Sequence, residues 1–489
     1  MTHRSSCRIY TRFSWLIGAL LLLGACTTTP PPQPKTTSSR QPIKVDSYVG
    51  NPTAKSYGRR TLADIIGDKA PSLLEYIGSD NNILEFKNPV LAKQLDTKWL
   101  EAKTRGFTIA HFGDSLVQGG YAAEIARGRL QIISGSAGRG MVFPYAIAKT
   151  YSQNDFKSRF TGDWTTANSI QPTPRLPLGV SGFVARTNSP DASFTLNFST
   201  AAESGAKRVK LFYAVNASTY QIKLQSGNLL QEATLTEGTV QSKTQMMELD
   251  FPELADSLHI DIRNTQPKKD DFFEIHGISI ENEKSGGVLY HNFGVGGATY
   301  SGLLAQTYFE EQSAKISPDL IVLDWGTNDI VFKNSIASNL ESTIIQTIRK
   351  VRMQHPDALI ILTSAQDLNF RKRNITAAGD FAKLMKKIAL ENDCFFYDWY
   401  RIAGGPGAMS TWVAYGLGAD NIHLTGAGYA IKGELFAQSI LNTLMFYKKD
   451  PSANLLDISA FAKNKSHSVA TWLKEQSPEP RKDLLRKRP

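Results

Sequence analysis

Phe107-Thr-Ile-Ala-His-Phe-Gly113-Asp114-Ser115-Leu116 is the stretch on which the reading of this chain turns. An apolar run that stops at a small-residue turn reads as a buried strand feeding directly into a helix. In an open α/β sheet such a turn lies at the carboxyl edge, where these folds place their ligands. Ser115 then offers a hydroxyl, and its N–H, at a helix start, is set to donate to an anionic oxygen. Taken alone, Gly-Asp-Ser is equally an ordinary helix cap.

Three later blocks, in fixed order, narrow the choice. Asn292-Phe-Gly294-Val-Gly296-Gly297 is glycine-rich and follows the strand-like Gly287-Val-Leu-Tyr290. A dinucleotide fingerprint needs a third glycine where Thr299 stands, so that reading fails; glycine here suits close approach of backbone N–H to a substrate oxygen, or simply a tight turn. Gly326-Thr327-Asn328-Asp329 follows the apolar Leu320-Ile-Val-Leu323. Its Asn328 amide is a candidate second donor or a turn cap, and Asp329 is assigned to structure. Asp420-Asn421-Ile422-His423 precedes a helical pattern. At that spacing the carboxylate accepts from one imidazole nitrogen while the other faces Ser115. Of eight histidines only His423 has such a neighbourhood: His111 lies inside a strand, His259 and His276 in a β-rich stretch, His3 in the leader. Together the blocks supply a serine, two kinds of oxyanion donor and an Asp/His pair, the parts of serine-based acyl chemistry. No metal-ligand cluster is visible, and neither metal nor cofactor is expected.

Outward from these blocks the chain alternates. Pro89 to Lys103 reads as an amphipathic helix. Asp319 to Asp324, Ala358 to Thr363 and Phe395 to Trp399 are short apolar runs. Ile336, Leu340, Ile344, Ile348 and Val351 recur at helical spacing, and another helix is expected from Gly426 to Met445. Strands alternating with helices predict an α/β domain with a parallel sheet. Residues 151–285 break the pattern. Ser193-Phe-Thr-Leu-Asn-Phe198, Arg208-Val-Lys-Leu-Phe-Tyr213, Tyr220-Gln-Ile-Lys-Leu224, Leu258-His-Ile-Asp-Ile262 and Phe273-Glu-Ile-His-Gly-Ile-Ser-Ile280 alternate with period two. They predict an antiparallel β-sandwich or jelly roll inserted into the α/β domain, which itself takes residues 46–150 and 286–450. Phe212, Tyr213 and Tyr220 are candidate sugar-binding aromatics, although the alternation sends some of them to the core.

The first 25 residues read as an export signal: Arg4, Arg8 and Arg12 precede an apolar stretch from Phe13 to Ala25, too short to span a bilayer of about 30 Å comfortably. Thr27 to Pro42 is a Pro/Thr/Ser tether within residues 26–45, and 451–489 a C-terminal extension with a basic end. Of three cysteines, Cys7 falls in the leader and only Cys394 lies in the body, which excludes a disulfide-stapled or Cys-rich metal domain. The chain's formal charge is +10. With an export signal this points to anionic lipid or wall polymer, or only to a solvated tail, rather than to nucleic acid.

The four blocks in this order resemble the SGNH branch of the GDSL hydrolase superfamily. The resemblance implies a flavodoxin-like three-layer α/β/α domain, with Ser115, Gly297, Asn328 and His423 as the family's invariant residues and Asp420 completing the triad. Ala137-Gly-Arg-Gly-Met-Val-Phe-Pro-Tyr145, after His111-Phe-Gly-Asp-Ser115, looks like the periplasmic peptidoglycan O-acetylesterases. Those enzymes carry a carbohydrate-binding-module-like β domain between the first and second blocks. One departure is Leu116-Val117-Gln118, where relatives more often have His-Ile/Val-Gln. Leu23-Gly24-Ala25-Cys26 resembles the lipobox of bacterial lipoproteins, which implies cleavage before Cys26, its acylation, and an outer-membrane anchor facing the periplasm. The expected function is removal of O-acetyl groups from an acetylated glycan, peptidoglycan foremost. Acetyl transfer, another polysaccharide such as xylan, a lipid ester, and a non-catalytic envelope-binding lipoprotein are the alternatives.

Overall fold

The computed structural model describes residues 82–452, apart from 200–204, 218, 239–242 and 284–285. The expected leader, tether, Cys26 and basic end all lie outside the described residues.

Five parallel strands form the centre: β1 (Phe107–Gly113), β2 (Val288–Gly294), β3 (Leu320–Asp324), β4 (Leu359–Thr363) and β5 (Phe395–Tyr397). Their spatial order is 2-1-3-4-5, in register Phe112 beside Phe293 and Leu323, and Leu323 beside Leu362. β3 and β4 are buried at every position, as expected of parallel strands covered on both faces. The covering helices are α1 (Pro89–Leu100), α2 (Tyr121–Ser134), α3 (Leu340–Gln354), α4 (Ala377–Glu391) and α5 (Gly426–Lys449). Alternate strand residues decide which helices they meet. Ile109, Val322 and Ile361 share a core with Leu95, Leu130, Leu435 and Ile440 of α1, α2 and α5. Ile321, Leu323, Ile360 and Leu362 share one with Ile344, Ile348, Phe381 and Met385 of α3 and α4.

Two local expectations shift. The apolar run Phe395 to Trp399 is a strand only as far as Tyr397, because the Asp398 carboxylate caps the Arg401 N–H and starts a short helix at Trp399. The helix expected to include Ile336 begins at Leu340; Ile336 stays in the preceding loop and packs against the core from there.

Between β1 and β2 lie two antiparallel sheets. One pairs Gln245–Asp250, Ala206–Val215, Phe273–Asn282, Phe183–Thr187 and Thr165–Asn168, with Gly138–Val142 also joined to Phe273–Asn282. The other pairs Phe156–Thr161, Asp191–Phe198, Ser257–Asn264, Tyr220–Ser226 and Leu229–Thr234. Strict alternation of buried and exposed positions in Tyr220–Ser226 shows one face in the core and one in water. Phe273 to Ile280 is buried at every position, so this strand is covered on both faces. Phe212, Tyr213 and Tyr220 all lie in the core, at 1%, 4% and 0% exposure, and offer no surface to a sugar. No described helix is long and apolar enough to cross a membrane.

Candidate active site

The carboxyl edges of β1 and β3, where the strand order reverses, bring the sequence blocks together; ligands bind in this crevice in open α/β sheets. β1 ends at Gly113, and Asp114 caps the short helix Ser115–Gln118 by accepting from the Leu116 N–H at 2.9 Å. Ser115 Oγ lies 2.9 Å from His423 Nε2. On the other side of the ring, His423 Nδ1 lies 2.9 and 3.0 Å from the two oxygens of Asp420. The Asp420 carboxylate is fixed in turn by the backbone N–H groups of Ile422 (3.1 Å) and His423 (2.7 Å). Asn421 makes this tight loop possible with φ of 67°, a left-handed conformation that asparagine tolerates better than most residues. Burial alone would raise the Asp420 pKa; the hydrogen bond and charge of His423, with the two backbone donors, hold it below the ordinary carboxylate value.

Gly297 and Asn328 stand beside the serine block. Gly297 has φ of 92°, which an L side chain adopts only with strain. Among the described residues, neither its N–H nor that of Ser115 donates to a protein acceptor. Asn328 sits in the turn Thr327–Ile330 after β3. Its amide donates to the Ala298 carbonyl at 3.0 Å, and makes a 3.4 Å contact with Asp114 Oδ2. The second contact is long for a hydrogen bond and leaves that hydrogen available. Gly326 permits the turn: its φ is 128°, and a Cβ there would stand 2.3 Å from the Phe381 ring. Ser115, His423, Asp420, Asn328 and Gly297 are all partly exposed, as a cleft requires.

Other groups at the site carry weaker sequence signals. Gln118 accepts from the Gly296 N–H at 2.5 Å and donates to the Tyr151 carbonyl at 2.8 Å, holding the glycine turn beside Gly297. Asn292 donates to the Val117 carbonyl and accepts from the Gly294 N–H, both at 2.9 Å, fastening the glycine block to the serine turn. Both are neighbours in sequence of the serine and glycine turns, and an amide side chain there carries no pattern of its own. Ile170, in the turn after Thr165–Asn168, comes from the antiparallel region and is 49% exposed. It lies against Gly297, where a Cβ would stand 3.4 Å from its Cδ1. Two carboxyls nearby are unusual. Burial pushes Asp114 up to about 6, opposed by the Leu116 N–H. Burial likewise pushes Asp329 up to about 7, with Asp114 adding to the rise. Among the described residues no group of histidine, cysteine and carboxylate side chains is arranged to hold a metal ion.

Residues 281–431 match the GDSL-like Lipase/Acylhydrolase family. No curated protein matches the sequence. Among solved structures the chain is similar to a peptidoglycan O-acetylesterase, at 22% identity and a TM-score of 0.60, over 74% of this chain and 99% of that one. It is also similar to a family two carbohydrate esterase from Cellvibrio japonicus, at 12% identity and a TM-score of 0.24, over 60% of this chain and 99% of that one. A third similar structure is an acetylxylan esterase from Geobacillus stearothermophilus, at 22% identity and a TM-score of 0.27, over 32% of this chain and 73% of that one. The fold is GDSL/SGNH-like and is shared with the peptidoglycan O-acetylesterase.

Proposed function

We propose that this protein is a serine esterase that removes O-acetyl groups from peptidoglycan through an acyl-serine intermediate. The observation that carries the reading is the unbroken relay from Ser115 Oγ through His423 to Asp420. The Asp420 carboxylate keeps the proton of the neutral imidazole on Nδ1, so Nε2 is free to take the serine proton. The serine oxygen attacks the acetyl carbonyl. The resulting oxyanion is stabilised by the N–H groups of Ser115 and Gly297 and by the second amide hydrogen of Asn328. His423 then gives its proton to the departing sugar oxygen, and water releases acetate by the same steps in reverse order of roles. This chemistry draws on the chain's own groups at every step.

The name of the structural relative at a TM-score of 0.60 supports peptidoglycan as the substrate. The 2-1-3-4-5 strand order supports a flavodoxin-like domain, and the paired antiparallel sheets support an inserted β-sandwich over residues 151–285. The leader and Cys26 support a lipid-anchored protein of the bacterial envelope facing the periplasm. Acetate release from O-acetylated peptidoglycan, compared with acetylated xylan, tests the substrate. Faster release from peptidoglycan is expected; equal rates, or none on peptidoglycan, overturn the assignment.

Ile170 bears on acyl size. Lying against Gly297, it walls the region into which an acyl chain longer than acetyl extends. Ile170→Ala is expected to raise kcat/KM for butyryl relative to acetyl aryl esters by about tenfold, in line with what one or two methylenes are worth in an apolar pocket. An unchanged ratio across an acyl-length series would remove Ile170 from the acyl site.

A further inference from the structure

Just beyond β4, on the same sheet edge as the serine, a small hairpin rises beside the cleft. Asn369–Phe370 pairs with Arg373–Asn374, leaving Arg371 and Lys372 as a two-residue turn. Both turn residues have positive φ, 51° and 63°, the pattern of a type I′ hairpin that favours Asn-Gly. An Arg-Lys pair is a costly choice for that backbone, and such strain gathers at functional sites. The hairpin is fastened to the catalytic loop. The Asn369 N–H donates to the Asn421 carbonyl at 2.8 Å, and the Gln366 amide donates to the Ile422 carbonyl.

Its exposed surface is cationic and aromatic. Arg371, Lys372 and Arg373 are exposed, as is Lys333 next to Phe332. Among the described residues none of these four has a carboxylate partner, and the four stand together on one surface. Phe332 is 48% exposed and meets Phe370 edge-on at 5.5 Å, and the Arg371 guanidinium covers the Phe370 ring at 5.1 Å. Phe332 lies four residues after Asn328, just beyond the short helix Thr327–Ile330.

We propose that this hairpin, with Phe332 and Lys333, is a subsite for glycan strands bearing carboxylates, holding an anionic polymer while its ester lies at Ser115. The proposal rests on the reading of the site as a glycan esterase. The exposed Phe332 ring offers an apolar face to a sugar, and cations without carboxylate partners recognise carboxylates. Screening confines the attraction to about 8 Å at physiological ionic strength, so these charges act on a ligand already at the rim. A lipid surface is disfavoured because the hairpin is tied to the catalytic loop itself.

Two variants test it. Arg371→Gln/Lys372→Gln/Arg373→Gln removes three charges. Arg371→Asn/Lys372→Gly removes two while supplying the preferred turn residues, and is expected to raise the melting temperature. Both are expected to raise KM on O-acetylated peptidoglycan about tenfold at low salt, to flatten its salt dependence, and to leave aryl acetate and acetylated xylan within twofold. Unchanged KM on peptidoglycan, or equal losses on xylan, overturns the subsite. Sedimentation with peptidoglycan stripped of acetyl groups reads the same subsite without catalysis. Binding that both variants and amidation of the glycan carboxylates weaken supports it, even if the wild type releases no acetate and the esterase reading fails. Binding indifferent to both, or stronger binding to anionic phospholipid vesicles than to the glycan, overturns it.

Discussion

Ser115→Ala is expected to lower ester hydrolysis by about 10⁴- to 10⁶-fold while leaving the fold intact. The size follows from the role proposed for the oxygen: without it no acyl-serine forms, and only the proposed oxyanion donors and binding contacts remain to favour water attack. The fold is indifferent because Ser115 is partly exposed and its side chain makes a single hydrogen bond, to His423. Turnover of an aryl acetate, thermal melting and labelling by a fluorophosphonate probe check the three parts. His423→Ala should cost nearly as much, and the double variant little more than either single one, because the groups act as a unit. Additive losses would mean that serine and histidine serve different steps. Full activity in Ser115→Ala would remove the acyl-serine from the mechanism.

How far the sequence led depends on whether neighbours in space were also neighbours in pattern. β3 and β4 were legible because a strand buried on both faces needs an unbroken apolar run, and Leu320-Ile-Val-Leu323 and Leu359-Ile-Ile-Leu362 are such runs. Ser115 and Asn328 were legible because each follows the end of an apolar strand, and the Asp420/His423 pair because of its three-residue spacing just before a helix. The hairpin at Asn369–Asn374 was not, since its turn lacks the Asn-Gly signal and no long alternation flanks it. Ile170 was not either: it lies 127 positions before Gly297 in the chain and reaches it only through the packing of the antiparallel region. Polar residues that bind one another inside the domain leave no local signal at all. His111, Asp324 and Lys432 lie in a strand, at a strand end and in a helix, and only the folded chain joins them.

That buried cluster carries the second large expectation, a loss of about 3–5 kcal/mol of folding stability in Lys432→Met at pH 8. Lys432 Nζ lies 2.9 Å from Asp324 Oδ2, with both side chains 5% exposed. Asp324 also accepts from Thr363 at 2.6 Å and lies 3.3 Å from His111 Nε2, while His111 Nδ1 lies 2.7 Å from the Tyr290 hydroxyl. One carboxylate thus links β1, β3 and β4 to α5, and His111 extends the network to Tyr290 of β2; the capping residue of α5, Thr425, is two positions from His423. Burial would raise the Asp324 pKa, but the Lys432 charge and the His111 contact hold it well below the usual carboxylate range. In the wild type this stabilisation is therefore present above the unfolded carboxylate value, near 4, and is lost as pH falls below it. Without the ammonium the sign reverses. A buried, unbalanced carboxylate is relieved by a proton, on Asp324 or on His111, so the deficit should be largest at pH 8 and shrink toward pH 5. Urea unfolding of both proteins at the two pH values measures this directly. Lys432→Met combined with Asp324→Asn should recover more than half of the loss, because removing both charges leaves no ion without a partner. An equal deficit at pH 5 and pH 8, with no recovery in the double variant, would mean that Lys432 acts by filling space and that the charge of the pair is immaterial.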